Sequence, residues 1–458
     1  MTLKTELSLT NDLLVFRISH SRESWKYRFQ VERSPISDGS RAVDERSEDS
    51  SMLALAKLLS SYSHRRMLHG ELPKFSSSEP PGLYIHVPFC RSFCSFCPYV
   101  KTTYDPRVYK DYIDLLMKEL ALHDIAEFTS LYIGGGTPTS DADSLCKMVS
   151  RIRDRIQQEV AVEVHPLDAS RDNLDLMRSS GIDFVSIGAQ SFDNEMLRFL
   201  GRNHSAAQSL TAITNAINAG FEVVDVDLMF DLSDFPAEII MSDFSQLLRL
   251  GPTQASVYPM MRFGGNNPKR IPHDWRAEAA VFEELEKIAQ DSGYSRSSLW
   301  TFSASNTDKS YSSITRSFFL GLGAGAASYD GNIFSMNTAS IRHYTKHVSN
   351  GIRPSRGHFQ LNQFTSCLYY SFWSLYRGKL FHDEVRKLFP KAWKHVALIL
   401  SLQKIAGNVE RNRHETTLTT KGRRVFHKLE EWVTYRLIDP LWKGMKSENP
   451  SLQKLQET

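Results

Sequence analysis

From Gly82 onward the apolar and polar positions repeat in one order: a short apolar run, a loop, then a segment with apolar residues every three or four positions. The runs fall near 83–87, 130–133, 160–164, 183–188, 222–228 and 254–258, each followed by helical spacing such as that of 109–123. Short apolar runs bounded by turn residues read as strands, and strands alternating with helices return parallel to one another. Six such units predict a parallel α/β sheet or barrel. Ligands then gather where the carboxyl ends of the strands run into loops.

Outside these units the pattern is weaker. Runs at 13–16 and 25–29 predict a short hairpin, a polar stretch through Ser51 reads as loop or disorder, and 52–59 has helical spacing. Glu79-Pro80-Pro81-Gly82 breaks the chain just before the first strand, so residues 1–80 are read as an N-terminal extension of a core at 81–350. Within that core, 265–318 is polar and reads as helix and loop, and 320–329 is a glycine-rich turn. From about Leu361 the chain is helical and aromatic, with a further helix from Leu418 through Leu437 and a polar, frayed tail after Pro440. Residues 351–458 are therefore read as a smaller C-terminal domain.

At 458 residues and 41% hydrophobic content the chain can bury one large core and a smaller one. No apolar run approaches the roughly 20 residues that span a bilayer, and residues 1–30 lack a signal-peptide pattern, so a cytoplasmic location is expected. A net charge of +3 gives no argument for nucleic acid. The five cysteines, three clustered and Cys146 and Cys367 isolated, do not form a disulfide framework.

The clustered three, Cys90, Cys94 and Cys97, directly follow the first strand as C-x3-C-x2-C. Three thiolates can hold three irons of a [4Fe–4S] cube and leave the fourth iron open to a ligand that is not protein. A closed zinc site needs a fourth Cys or His, and none follows Cys97 within a loop's reach. After the second strand, Gly134-Gly135-Gly136-Thr137 lets backbone N–H groups approach a carboxylate or phosphate, without the spacing of a dinucleotide or P-loop site. Glu163 lies at the end of the third strand, where a cation can meet it.

The run Tyr84-x-His86-x-Pro88-Phe89-Cys90-x3-Cys94-x-Phe96-Cys97 resembles the radical S-adenosylmethionine (SAM) superfamily, in its branch related to oxygen-independent coproporphyrinogen III oxidase, the HemN-like family. The resemblance extends over roughly residues 80–435. It implies a partial (β/α)6 barrel with a small, winged-helix-like C-terminal domain, a [4Fe–4S] cluster on the three cysteines, and two SAM molecules. Tyr84, Phe96, Gly135, Gly136, Thr137 and Glu163 fall at its cofactor contacts, Gln190, Arg202 and Asp227 at a second SAM, and Met261 and Ala327 along the SAM pockets. It further implies a small-molecule substrate and an electron donor such as flavodoxin or ferredoxin, with no nucleic acid and no membrane.

Two departures bear on the substrate. The family's Asp-Leu-Ile-x-Gly-Leu-Pro becomes Asp227-Leu228-Met229-Phe230-Asp231-Leu232-Ser233, and no further cysteine stands two residues past Cys97. They weigh against coproporphyrinogen as substrate, and the second SAM favours methyl or methylene transfer from it to carbon of a small molecule. Oxidative decarboxylation of a porphyrinogen and haem handling, with His86 or His165 as iron ligands, are the alternatives.

Overall fold

The computed structural model describes residues 2–9, 12–20, 25–32, 67–68, 72–261, 263, 274–307, 309 and 317–446. Its centre is a 12-stranded sheet. The six expected strands are β1 (Gly82–Val87), β2 (Leu131–Gly135), β3 (Val160–Val164), β4 (Phe184–Gln190), β5 (Val223–Phe230) and β6 (Gln254–Pro259). They stand side by side in chain order, every neighbour parallel. The sheet does not close: β6 pairs antiparallel with Thr301–Ala304, while β1 pairs parallel with β7 (Phe319–Leu322). The result is a partial barrel extended at both edges.

The extensions are where sequence and structure part. The 265–318 stretch, expected as helix and loop, contains the helix Trp275–Asp291 but also the strands Tyr294–Arg296 and Thr301–Ala304. Both strands are short and rich in polar residues, so neither leaves an apolar run to read. The glycine-rich turn becomes β7 and the strand Ala327–Tyr329, joined by a bend in which Gly323 takes φ +101. A Cβ at Gly323 would lie 2.4 Å from the His86 carbonyl oxygen, so the close approach to β1 requires glycine. The main sheet continues past 350 to the strand Ser355–Gln360.

Near the N-terminus the expected hairpin is a three-stranded antiparallel meander, Thr2–Leu9, Asp12–His20 and Trp25–Glu32; the helical reading of 52–59 lies outside the described residues. The C-terminal part packs α2 (Gln363–Tyr376), two shorter helices and α3 (Thr420–Val433) around a small antiparallel sheet. The tail expected after Pro440 is instead helical from Asp439 to Lys446. It continues without a break from α3 through the π-helical turn Thr434–Ile438, and Pro440 lies directly after that turn.

The helix α1 (Pro106–Ala121) shows how the core braces the front of the barrel. Asp105 caps it by accepting the N–H groups of Arg107 and Val108, and Tyr109, Tyr112, Leu116 and Leu120 form its buried stripe. The Tyr112 hydroxyl donates to His86 O at 3.1 Å and accepts from Ala324 N at 2.7 Å, tying β1 to the bend after β7. Buried Glu119 accepts from Gly323 N at 2.8 Å, Tyr344 Oη at 2.6 Å and Asn337 Nδ2 at 2.7 Å. Burial nevertheless pushes its carboxyl from 4.5 up to about 7. The folded state thus holds this proton more tightly than the unfolded chain, and the stability linked to it is present below pH 4.5 and lost as pH rises through about 7. Urea midpoints are expected to fall between pH 5 and 8, and Glu119→Gln to flatten that fall. An unchanged slope would count against Glu119 as its source.

Candidate functional site

The cysteine loop leaves β1 and is held at both ends. Arg91 pairs with Asp168 beyond β3 and donates to Ser140 O at 2.6 Å. Lys101 Nζ donates to the carbonyl oxygens of Cys94 at 3.0 Å and Cys97 at 3.2 Å. Neither cation was identified from the sequence, although a lysine four residues past the last cysteine was a signal. The loop is therefore positioned by side chains other than the thiols. Cys90, Cys94 and Cys97 are all unbridged and line one cavity of about 850 Å³. Burial pushes the Cys90 thiol up to about 12, with a hydrogen bond from the Thr137 side chain pulling the other way.

Gly136 packs directly on this loop. A Cβ there would lie 2.8 Å from the Pro88 carbonyl carbon and 2.9 Å from Cys90 Sγ. Gly135 takes φ +118, and its N–H donates to Glu163 Oε2 at 3.1 Å, while Tyr132 Oη donates to Glu163 Oε1 at 2.5 Å. The glycine turn after β2 and the carboxylate on β3 are thus one unit, and Glu163 is not the solvated surface acid that its residue type alone would allow. Tyr84 Oη lies 2.8 Å from His86 Nδ1, and His86 Nε2 lies 2.8 Å from Val100 O. With both ring nitrogens engaged, His86 is a brace for the loop rather than an iron ligand, which corrects that expectation. His165 accepts the Leu167 N–H at 3.2 Å, and burial followed by the Arg202 charge pulls it down to about 2.

On the far side, Gln190 ends β4 at φ +70, the one non-glycine residue in that region among those described. Such strain persists where the surroundings fix it, commonly at binding sites. Arg202 donates to Gly188 O at 2.7 Å and to Cys94 Sγ at 3.2 Å, so its bonds reach the cysteine loop rather than a brace with Asp227. Asp225 and Asp227 share the Ser186 hydroxyl at 3.2 and 3.1 Å. Burial first, and then Asp225 and Glu163, drive the Asp227 carboxyl well up. Acids on two strands thus favour a cation in the space between them.

All the residues assigned from the sequence face the same cavity: Tyr84, Cys90, Cys94, Phe96, Cys97, Gly135, Gly136, Thr137, Glu163, Gln190, Arg202, Asp227, Met261 and Ala327. Phe96 packs with Met196, Leu200 and Met260, and Ala327 packs beside Val100 and Met336. Sequence reasoning missed the opposite wall, where Tyr258 and Trp300 meet Tyr369, Trp373 and Tyr376 of α2. Among the described residues no set of three His, Cys, Asp or Glu side chains is gathered to hold a single metal ion. Three thiols spread along a loop suit a cluster, whose corners are separate irons.

A family model for the radical SAM superfamily matches residues 84–239. The heme chaperone HemW of Lactococcus lactis subsp. lactis is 27% identical over 284 residues, covering 58% of this chain and 74% of that protein. Oxygen-independent coproporphyrinogen III oxidase of Escherichia coli is 28% identical over 190 residues, 39% of this chain and 41% of that one. The solved structure of the latter enzyme, HemN, matches the fold with a TM-score of 0.63 at 20% identity, over 84% of this chain and 93% of that one. The match over residues 84–239 and these relatives support a radical SAM, HemN-like family for this chain. The radical SAM superfamily implies a [4Fe–4S] cluster and SAM. The expectation of methyl or methylene transfer finds no support in these relatives, which are named as a heme chaperone and a porphyrinogen oxidase. No helix among the described residues is long and apolar enough to cross a membrane.

Proposed function

We propose that this protein binds a tetrapyrrole in the cavity and cleaves SAM beside it. One observation carries the reading: the cysteine loop and the aromatic face of α2, with Tyr369, Trp373 and Tyr376, line the same space. The pyrrole rings of a tetrapyrrole can pack on aromatic walls, and a cavity of this size lies within the range of small-molecule sites. Cys90, Cys94 and Cys97 would hold the cluster, which when reduced supplies the electron that breaks a carbon–sulfur bond of SAM to give methionine and a 5′-deoxyadenosyl radical. The chain's own part is placement. Glu163 and the Gly135–Gly136 backbone orient the polar end of SAM, the acids on β3 and β5 favour its positive charge, and the aromatic walls exclude water. An electron donor such as flavodoxin or ferredoxin would supply the electron that reduces the cluster.

Anaerobic protein given SAM and dithionite is expected to release more 5′-deoxyadenosine when coproporphyrinogen III is present than without it. Failure to bind any tetrapyrrole would overturn the reading. The resemblance to heme chaperones favours a second one, in which haem is bound and passed on; haem binding without stimulated cleavage would select it. Gln190, Arg202 and Asp227 are assigned to a second SAM. Two SAM per cluster at saturation, falling toward one in Arg202→Ala, is the expected result, and one in both proteins would remove that second site.

A further inference from the structure

The cysteine loop carries a cation that none of its acids offsets. Backbone bonds close the loop at its far end, from Thr102 N to Pro88 O at 2.7 Å and from Tyr104 N to Cys90 O at 2.9 Å. Just before that closure the half-buried Lys101 side chain turns back over the loop. Its Nζ meets the carbonyl oxygens of Cys94 and Cys97 at 3.0 and 3.2 Å and lies 5.5 Å from the centre of the Phe93 ring. Among the described residues these bonds go to carbonyl oxygens and none to a carboxylate. Lys101 also lines the cavity, beside the three thiols.

The neighbouring cations are otherwise engaged. Arg91, on the same loop, is paired with Asp168, and Arg202 reaches Cys94 Sγ at 3.2 Å from a separate segment assigned to SAM. The Lys101 charge is felt at the thiols: burial pushes Cys90 up, and Lys101 is among the influences that pull it down, toward the thiolate. Three thiolates leave an oxidised [4Fe–4S] cluster anionic, and the electron that reduces it adds a further negative charge. A fixed cation beside the thiolates favours the reduced form, since the charge around a cluster is one of the factors that set its potential.

We propose that Lys101 is a positioning residue that fixes the turn from Cys94 to Cys97 and, through its charge, makes the cluster easier to reduce. The inference rests on the cluster assignment of the three cysteines and holds whichever ligand fills the cavity.

The test is an anaerobic redox titration of the reconstituted full chain without SAM, followed by the electron paramagnetic resonance signal of the reduced cluster. Lys101→Met keeps the apolar stem over Phe93 and removes the charge, while the two backbone closures still hold the loop. At a given potential its ratio of oxidised to reduced cluster is expected to rise about tenfold, a midpoint lowered by about 59 mV for one electron. Lys101→Gln, which keeps a donor for the carbonyl oxygens, should show the same lowering and supplies the measurement where the Met variant takes up no cluster. Lys101→Arg should restore most of the original midpoint. Lys110→Met, which removes an exposed charge from α1, should leave it unchanged. An unchanged midpoint in a neutral variant with full iron content, or an equal lowering in Lys101→Arg or Lys110→Met, overturns the role of the Lys101 charge and leaves the cluster assignment in place. No cluster in the unmutated protein overturns both.

Discussion

Replacing Cys90, Cys94 or Cys97 singly by Ala is expected to abolish the iron–sulfide absorbance of anaerobically reconstituted protein, whereas replacing Cys146 and Cys367 together leaves it intact. The two groups of thiols live in different environments. Cys146 and Cys367 are 3% and 0% exposed within the main apolar core, where each acts as a small hydrophobe. The other three line the cavity on a loop whose course is set by Arg91, Lys101 and the backbone bond from Tyr104 N to Cys90 O at 2.9 Å. The loop's anchors are independent of the thiols, so the single variants should fold and lose only the cluster. A cluster that survives any one of them, or is lost in a folded Cys146/Cys367 double variant, would refute the ligand assignment.

Glu163→Ala should keep the cluster and lose most SAM cleavage. Glu163 ties Tyr132 on β2 to the Gly135 backbone, and the cavity opens in front of all three. A charge-assisted hydrogen bond contributes about 1.5–3 kcal/mol, which corresponds to roughly tenfold to a hundredfold or more in SAM affinity. The variant also leaves the Tyr132 hydroxyl and the Gly135 N–H without their acceptor, which loosens the turn against Cys90. Glu163→Gln, which keeps the shape and drops the charge, should fall between the two. Undiminished 5′-deoxyadenosine formation at subsaturating SAM would contradict this placement.

The parallel strands were legible because each is a short apolar run, and a strand followed by a helix has essentially one way to return to the sheet. The antiparallel flanks were not, because Tyr294–Arg296 and Thr301–Ala304 carry too few apolar residues to mark a strand. At the site, the cysteine loop, Gly135–Gly136 and Glu163 could be read because they follow or end successive strands of one rim. Gln190 and Arg202 were assigned from the family resemblance, but the strained backbone of one and the reach of the other to Cys94 emerge only from the fold. Ser298 and Glu430, which also line the cavity, gave no signal at all. They stand far from the cysteines in sequence and reach the cavity through the packing of α3 against the helix Trp275–Asp291, with Arg423 on Glu286 at 3.0 Å. The preference for methyl transfer, which the relatives do not support, had little to rest on for a related reason: the residues around the cluster and SAM are common to several chemistries.

The central claim is that a tetrapyrrole in this cavity lies within reach of the radical made at the cysteine loop. It is tested most directly by supplying coproporphyrinogen III deuterated on its propionate side chains to the reduced, cluster-loaded protein with unlabelled SAM, and weighing the 5′-deoxyadenosine released. Deuterium in the deoxyadenosine is the predicted result. Unlabelled deoxyadenosine, formed while the porphyrinogen is demonstrably bound, would contradict it.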